Sequence, residues 1–167
     1  INRVIQSNYE MGSTFKPITI AMGYDKDLIA PEMSFDVKNN INGISDYLEY
    51  EGDGIYDVEK IIVKSSNIGT AKIATKIGKK NQIDFFKKIG FFEKLDFEIL
   101  ETAEPLGNKN HWGKVETMTI GYGHGFAITP LHLIKAYASI ANSGIEIKPT
   151  IIKNNKHEFN KKILLKE

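Results

Sequence analysis

The chain has 167 residues, of which 41% are hydrophobic and 26% charged, and a formal net charge of +1 at pH 7. This length and composition are typical of one globular domain with a real core, and they argue against a disordered or nucleic-acid-binding protein. Because the sequence contains no cysteine, disulfides, thiolate metal sites and cysteine nucleophiles are excluded.

The first strong helix signal covers residues 13–24. Phe15 and Ile18 begin an apolar face at helical spacing. Pro17 is tolerated because it lies in the first turn, where a missing N–H costs least. Gly12, directly before the helix, gives the backbone the freedom that a tight turn needs.

Two further helices are predicted around a polar corner. Short extended pieces and turns, with room for one hairpin, fill residues 25–54. Residues 57–64 then predict a short helix, and residues 68–77 predict a second one that Gly78 stops. Ser65-Ser66-Asn67 therefore occupies the corner between two helices.

The C-terminal half predicts two more helices. One is amphipathic, spans residues 82–89 and is closed by Gly90. The other has the best start signal in the chain, because Thr129 can cap it and Pro130 takes its first helical position. Apolar residues follow Pro130 at helical spacing until Ser143-Gly144.

Loops and one edge strand complete the predicted elements. A polar loop covers residues 108–112, a glycine-rich turn covers residues 121–125, and residues 145–153 alternate loosely enough to predict an edge strand. His124 lies between glycines and is interpreted as a loop residue. The four histidines show no ligand spacing such as His-x-x-x-His, so no metal site is predicted.

The pair Ser13 and Lys16 forms a Ser-x-x-Lys pattern. On a helix, residues i and i+3 share one face with Cβ atoms roughly 5 to 6 Å apart, so the Lys16 amine is expected to reach the Ser13 hydroxyl. A serine next to a proton acceptor is a nucleophile for acyl transfer. The same residues also fit a serine N-cap followed by a solvated lysine, so the pattern needs support from elsewhere in the chain.

The corner at residues 65–67 supplies a Ser-x-Asn pattern, which by itself equally fits helix capping. The two patterns together resemble a known family. The string Gly12-Ser13-Thr14-Phe15-Lys16-Pro17, preceded by Tyr9-Glu10, resembles the active-site segment of the penicillin-binding transpeptidases. The Ser-x-Asn pattern follows in the matching order and at the matching separation. Residues 68–74 resemble the continuation seen in the cell-division, or septal, branch of class B, and residues 121–131 resemble the family's glycine loop and following helix.

The resemblance implies a role for each of four residues. Ser13 is the nucleophile, and Lys16, kept neutral by desolvation or a neighbouring positive charge, is the base. Ser65 returns a proton to the leaving nitrogen, and Asn67 orients the substrate amide and fixes the Lys16 side chain. The implied substrate is the D-alanyl-D-alanine end of a peptidoglycan stem peptide, β-lactam antibiotics are trapped at Ser13, and no cofactor is needed.

The resemblance also implies the fold and the setting. The fold is an α+β domain of the β-lactamase/transpeptidase type, and residues 1–167 are expected to form a single partial domain that holds mostly the helical lobe, with the antiparallel sheet incomplete. No apolar run is long enough for a membrane helix and no signal peptide opens the chain. The implied anchor in the bacterial inner membrane is therefore expected outside this sequence, with the domain facing the periplasm and divisome membrane proteins as partners.

The family's third motif, Lys-Thr-Gly or Lys-Ser-Gly, occurs nowhere in the sequence. The chain is therefore expected to stop short of it. In the family that motif lies on a strand that supplies charge for the substrate carboxylate and one N–H of the oxyanion hole. Losing one such donor costs about 10²- to 10³-fold in rate, so a polypeptide limited to these residues is predicted to be impaired.

Two alternatives remain open from the sequence. A serine β-lactamase or D,D-carboxypeptidase shares the Ser-x-x-Lys nucleophile but passes the acyl group to water. Ser66 argues against the lactamase, because the lactamase form of the second motif usually has aspartate at that position. The other alternative is a non-catalytic β-lactam-sensing or interaction domain, which the missing third motif allows.

Overall fold

The computed structural model describes residues 1–107, 111–153 and 159–164, and these ranges are mostly helical. The β-strands among them form three separate two-stranded antiparallel pairs, β1 with β4, β2 with β3, and β5 with β6. In chain order the elements are α1 (Arg3–Gln6), β1 (Tyr9–Glu10), a 3₁₀ turn (Gly12–Phe15), α2 (Lys16–Asp25), β2 (Ser34–Asp36), β3 (Ile55–Asp57), α3 (Val58–Val63), α4 (Asn67–Ile89), α5 (Lys114–Gly121), β4 (Ala127–Ile128), α6 (Pro130–Ala141), β5 (Ile145–Ile147) and β6 (Phe159–Lys162). The predicted α+β fold with a dominant helical part is confirmed.

Helix α4 contains the two helices that the sequence predicts on either side of Gly78. Gly78 has φ 80° and ψ 156°, which is not helical and divides α4 into two arms. The second arm begins directly after Gly78, so the helix predicted over residues 82–89 starts earlier than expected. Gly90 ends α4 as predicted, in the left-handed conformation (φ 80°) that suits glycine.

Helix α5 is the longest element that the sequence pattern does not predict. Its buried residues are Thr117, Met118, Ile120 and Gly121, and the threonine and glycine weaken the apolar period that marks a buried helix face. Its start is held by Glu116, whose carboxylate accepts the Gly113 N–H at 2.9 Å. The predicted loop before it lies partly outside the described residues (108–110), and Trp112, at its end, is buried.

The strand predictions were partly right. The hairpin expected before residue 54 forms between β2 and β3, with Phe35 opposite Tyr56, so its second strand lies just beyond Gly54. The edge strand expected over residues 145–153 is limited to β5, because Pro149 cannot donate to a ladder.

The core is centred on α4, which packs mainly against α5 and α2. Phe86 is fully buried and contacts Phe15, from the 3₁₀ turn, edge to face with ring centroids 5.5 Å apart. Other rings around Phe86 are Phe91, Phe92, Trp112 and Phe126. Such aromatic pairs add to the free energy gained by burial, so the segment that carries Ser13 is anchored directly on the core.

The helices within the described ranges lack the combination of length and apolar character that crossing a bilayer requires.

Candidate active site

Ser13 and Lys16 lie at the start of the helix that the sequence predicts, but the first turn is tighter than an α-helix. Ser13 belongs to the 3₁₀ turn, and Lys16 is the first residue of α2. Gly12 has φ 54°, so the turn does require the left-handed conformation that glycine permits. Ser13 is exposed, whereas Lys16 retains only 1% exposure.

A chain of hydrogen bonds joins Ser13, Ser65 and Lys16. The Lys16 amine donates to the Ser65 hydroxyl at 2.9 Å and also to the Ser65 carbonyl oxygen. The Ser65 hydroxyl in turn donates a hydrogen bond to the Ser13 hydroxyl, with the two oxygen atoms 3.0 Å apart. The sequence predicts direct contact between the amine and Ser13; in the structure the recorded link passes through Ser65, which presents both of its oxygen atoms to the amine.

Burial lowers the pKa of Lys16 from 10.5 to about 8, and the nearby Asp46 carboxylate opposes part of this shift. Of the two causes expected from the sequence, desolvation is therefore the one at work. Because a pKa of about 8 leaves roughly a tenth of the amine unprotonated at pH 7, Lys16 can act as a proton acceptor near neutral pH.

The corner that carries Ser65 is built from the end of α3 and the start of α4. Ser65 has φ 53°, a left-handed conformation that costs a non-glycine residue roughly 1–2 kcal/mol. Ser66 is buried and caps α4, because its hydroxyl accepts the Gly69 N–H at 2.9 Å. Backbone strain of this kind is concentrated at functional sites, where the surroundings hold it in place.

Asp46 fastens the same corner from outside, and no sequence motif predicts it. One carboxylate oxygen accepts the Ser66 hydroxyl at 2.7 Å, and the other accepts the Ile68 N–H at 2.9 Å. A carboxylate at a helix N-terminus satisfies otherwise unpaired N–H groups and complements the helix dipole. Asp46 thus both stabilises the start of α4 and lies close enough to Lys16 to affect its pKa.

Asn67, the fourth predicted site residue, lines the same cleft as Ser13 and Ser65. Its side-chain amide donates to the Ser45 carbonyl at 3.2 Å. The contacts recorded for Lys16 come from Ser65, so the expected role of Asn67 in fixing that side chain is taken by Ser65 here. The Asn67 amide instead ties the start of α4 to the loop that precedes Asp46.

The cleft has a volume of about 320 Å³. Its lining includes Ser13, Ser65 and Asn67 from the helix starts, and Tyr47, Leu48 and Glu49 from the 45–51 loop. The far end of the 45–51 loop is held by Glu51, whose carboxylate lies 2.6 Å from the Lys64 amine and whose N–H donates to the Tyr56 hydroxyl at 2.7 Å.

The glycine-rich turn at residues 121–125 lies against the other side of the 3₁₀ turn. The Gly12 N–H donates to the Gly123 carbonyl at 3.0 Å. A Cβ atom on Gly123 would lie 2.1 Å from the Gly12 carbonyl oxygen, so only glycine permits this approach. On α6, the Tyr137 hydroxyl donates to the Thr14 carbonyl at 2.6 Å. This hydrogen bond also restrains the backbone next to Ser13.

Within the described ranges, no group of three or more histidine, aspartate or glutamate residues is arranged to hold a metal ion. His132 is buried between Thr129 and the Glu93 carbonyl, and burial lowers its pKa. Because both ring nitrogens of His132 make hydrogen bonds, this residue connects α6 to the segment that follows α4.

A serine at a helix start that is linked to a buried lysine through the corner before a second helix is the arrangement expected from the resemblance to the class B penicillin-binding transpeptidases. The chain belongs to that family, because the model described as "Penicillin binding protein transpeptidase domain" matches residues 1–166.

Individual relatives agree with this assignment. The chain is 32% identical over 157 residues to a probable peptidoglycan D,D-transpeptidase FtsI of Caulobacter vibrioides, covering 92% of this chain and 26% of the relative. It is 27% identical over 148 residues to the peptidoglycan D,D-transpeptidase FtsI of Escherichia coli K12, covering 86% of this chain and 25% of the relative. Among solved structures, the apo TP domain of Burkholderia pseudomallei penicillin-binding protein 3 superposes with a TM-score of 0.88 at 27% identity, covering 98% of this chain and 51% of that chain. The chain thus spans about a quarter of the length of these two curated relatives and about half of the solved domain.

Proposed function

We propose that the chain carries the nucleophile-bearing part of a peptidoglycan D,D-transpeptidase, which crosslinks stem peptides of the cell wall during division. The observation that supports this most strongly is the hydrogen-bonded series Ser13, Ser65 and Lys16, in which the lysine is buried and its pKa is lowered to about 8. A reactive serine needs a proton acceptor of this kind within reach. The names of the relatives described above support the same activity.

The first step forms an ester. When the Lys16 amine is neutral, the Ser65 hydroxyl can donate to it and accept the Ser13 hydroxyl. The Ser13 oxygen attacks the carbonyl carbon of the D-alanyl-D-alanine bond, and its proton passes through the Ser65 hydroxyl to the Lys16 amine. The bond from that carbon to nitrogen then breaks, the proton returns from Lys16 through Ser65 to the nitrogen, and D-alanine leaves with a neutral amino group. Asn67 orients the substrate amide from the same side of the cleft.

The second step transfers the acyl group. The amine of a neighbouring stem peptide attacks the ester carbonyl carbon, the bond from that carbon to the Ser13 oxygen breaks, and the proton that the amine loses passes to the Ser13 oxygen, so a crosslink is closed. A β-lactam acylates Ser13 in the same way through its strained amide. Its amine remains attached to the acyl group, which blocks the cleft, and the ester therefore persists.

The setting follows from the same proposal. The parent protein is anchored in the bacterial inner membrane, this domain faces the periplasm, and divisome membrane proteins are its partners. A polypeptide limited to the 167 residues lacks a Lys-Thr-Gly motif. With one oxyanion donor missing it should acylate about 10²- to 10³-fold more slowly than the parent.

The test uses a fluorescent penicillin with the parent protein and with the 167-residue chain, followed by intact mass over hours. A stable adduct that is lost in Ser13→Ala and kept in Ser34→Ala, an exposed serine outside the cleft, supports acyl-enzyme formation at Ser13. Stem-peptide donor and acceptor amine are then added, and a crosslinked product is expected.

Other outcomes identify the alternatives. Rapid loss of the adduct with many turnovers identifies a β-lactamase. Hydrolysis of the donor without crosslinking identifies a carboxypeptidase. A stable adduct without any product identifies a sensor, and absence of an adduct on the parent leaves an interaction domain.

A further inference from the structure

Glu10 is a charged residue close to Ser13 to which the mechanism above gives no role. It ends β1, two residues before Gly12. Its backbone pairs with Ala127 of β4, the strand that directly follows the glycine-rich turn. The segment that contains β1 and the segment around the glycine-rich turn therefore run side by side from the β1–β4 pair up to the 3₁₀ turn.

The Glu10 side chain continues this ladder beyond the strands. One carboxylate oxygen accepts the Gly125 N–H at 2.9 Å, and the other lies 3.2 Å from Nδ1 of His124. Two residues further along, the Gly12 N–H donates to the Gly123 carbonyl at 3.0 Å. The carboxylate thus takes the place of a backbone acceptor, and contacts with the glycine-rich turn reach the residue next to Ser13.

The segment that carries Ser13 needs such an external restraint. A side chain at Gly12 would point into open space, so the close approach of its backbone to Gly123 is what holds this residue, and glycine loses more conformational freedom on folding than any other residue. The recorded side-chain contact of Ser13 is the one to Ser65, so the position of its oxygen depends on the backbone around Gly12. A misplacement of about 1 Å in a reacting group can cost roughly 10²-fold in rate.

We propose that Glu10 is a positioning residue. Its carboxylate holds His124 and Gly125 in place, keeps the glycine-rich turn against Gly12, and thereby sets the position of the Ser13 oxygen relative to Ser65. This inference rests on the proposed acylation of Ser13. Glu10 and His124 are each about half exposed, so this clamp, meaning the contacts of the Glu10 carboxylate with His124 and Gly125, acts through geometry beside the 3₁₀ turn, while Phe15 packs in the core.

The experiment compares Glu10→Ala with Glu10→Gln, which keeps an acceptor for the Gly125 N–H, and with Glu101→Ala, which removes an exposed carboxylate elsewhere. Stopped-flow acylation of the parent protein by fluorescent penicillin separates the noncovalent dissociation constant from the acylation rate constant. Glu10→Ala should lower the rate constant about 10- to 100-fold, leave the dissociation constant within about threefold, and be rescued to within about threefold by glutamine.

Hydrogen exchange on the same proteins provides a readout that needs no chemistry. Amides in residues 11–15 and 121–125 should exchange several-fold faster in Glu10→Ala than in wild type, and at the wild-type rate in Glu10→Gln and Glu101→Ala. If wild-type protein forms no adduct, the proposed function fails, and the exchange comparison alone decides whether the clamp exists.

Four results would overturn the inference. They are unchanged exchange in Glu10→Ala, faster exchange with an unchanged acylation rate constant, a change confined to the noncovalent dissociation constant, and failure of glutamine to rescue. The third would make Glu10 a substrate contact, and the fourth would make its charge, rather than its position, the important property.

Discussion

The two walls of the cleft beside Ser13 differ in how they are held. One wall comprises the starts of α2 and α4, where Lys16 and Ser66 are buried and Phe15 packs on Phe86. The other is the 45–51 loop, in which Tyr47 and Leu48 are 98% and 72% exposed. That loop is fastened near its two ends by Asp46 and Glu51.

The contrast separates the residues proposed to carry out the reaction from the loop residues that only line the cleft. The side chains proposed to move protons lie at helix starts next to or among the buried residues Phe15, Lys16 and Ser66, which favours the narrow tolerances that catalysis requires. In the 45–51 loop, exposed side chains such as Tyr47 and Leu48 have few neighbours to restrain them. Changes in the helical wall should therefore affect the reaction or the stability strongly, and changes in the loop should affect them little.

The largest effect is expected for Lys16→Met, which keeps an apolar side chain of similar length and removes the base. The acylation rate should fall about 10²- to 10⁴-fold, the usual contribution of a positioned proton acceptor. Intact mass with fluorescent penicillin measures the rate. A rate within threefold of wild type would show that Lys16 is not the base.

The next effect concerns stability and compares the two walls directly. Phe15→Ala should lower the free energy of unfolding by about 3–5 kcal/mol, because it leaves a cavity beside Phe86. Tyr47→Ala, in the loop, should change it by less than about 0.5 kcal/mol. Urea unfolding monitored by circular dichroism measures both, and equal losses would contradict the contrast between the walls.

The pH dependence should follow Lys16. Only the unprotonated amine accepts a proton, so the acylation rate should rise about tenfold per pH unit below the pKa of about 8 and level off above it. A profile that is flat between pH 6 and pH 9 would assign the base to another group.

The free energy of unfolding, like the acylation rate, should rise with pH because of Lys16. Since the folded-state pKa of Lys16 lies below 10.5, the unfolded chain binds the proton more tightly than the folded protein does. The wild-type free energy of unfolding should therefore rise, relative to that of Lys16→Met, between pH 8 and pH 10.5. Urea midpoints of both proteins across this range provide the measurement.

A smaller effect is expected for Asp46→Asn. Asparagine is also a good helix cap, but it loses one charge-assisted bond, so the free energy of unfolding should fall by about 1 kcal/mol. Because the Asp46 carboxylate raises the pKa of Lys16, its removal should move the rising limb of the acylation profile to lower pH. A shift to higher pH would contradict this electrostatic coupling.

The smallest effect is expected for Glu51→Gln, which removes the carboxylate paired with Lys64 on the loop. The Glu51 side chain is 60% exposed and that of Lys64 is 37% exposed, and surface ion pairs of this kind contribute little. The melting temperature should not change measurably. Calorimetry at low and high salt provides the check, and a clear loss would show that the loop is held more firmly than its exposure suggests.

The sequence predicted the elements whose signals are local. Ser13 and Lys16 fall at a predicted helix start, and Ser65 and Asn67 fall at the predicted corner before another. Because α2 and α4 pack together, Ser13, Ser65 and Asn67 line one cleft and the Lys16 amine contacts Ser65. Phe15 and Ile18 define a buried face as their spacing indicates. These features depend on neighbours within a few turns of the chain, which is the range that periodicity and capping rules cover.

The sequence did not predict features that depend on contacts between residues far apart along the chain. Asp46 lies 20 residues before Ser66 in a turn-rich segment, and nothing in its local pattern identifies it as the group that fastens the corner. Glu10 was part of the motif, but its contact with Gly125 joins positions 115 residues apart. Helix α5 was missed because threonine and glycine occupy half of its buried positions.

The double contact between Ser65 and Lys16 has a consequence for how this site tolerates change. The amine is held by a side-chain oxygen and by a main-chain oxygen of the same residue. Only the first of these is encoded by the identity of the amino acid. Exchange of this serine for alanine would thus remove the hydroxyl that links Lys16 to Ser13, yet leave a main-chain acceptor that still holds the Lys16 amine in place.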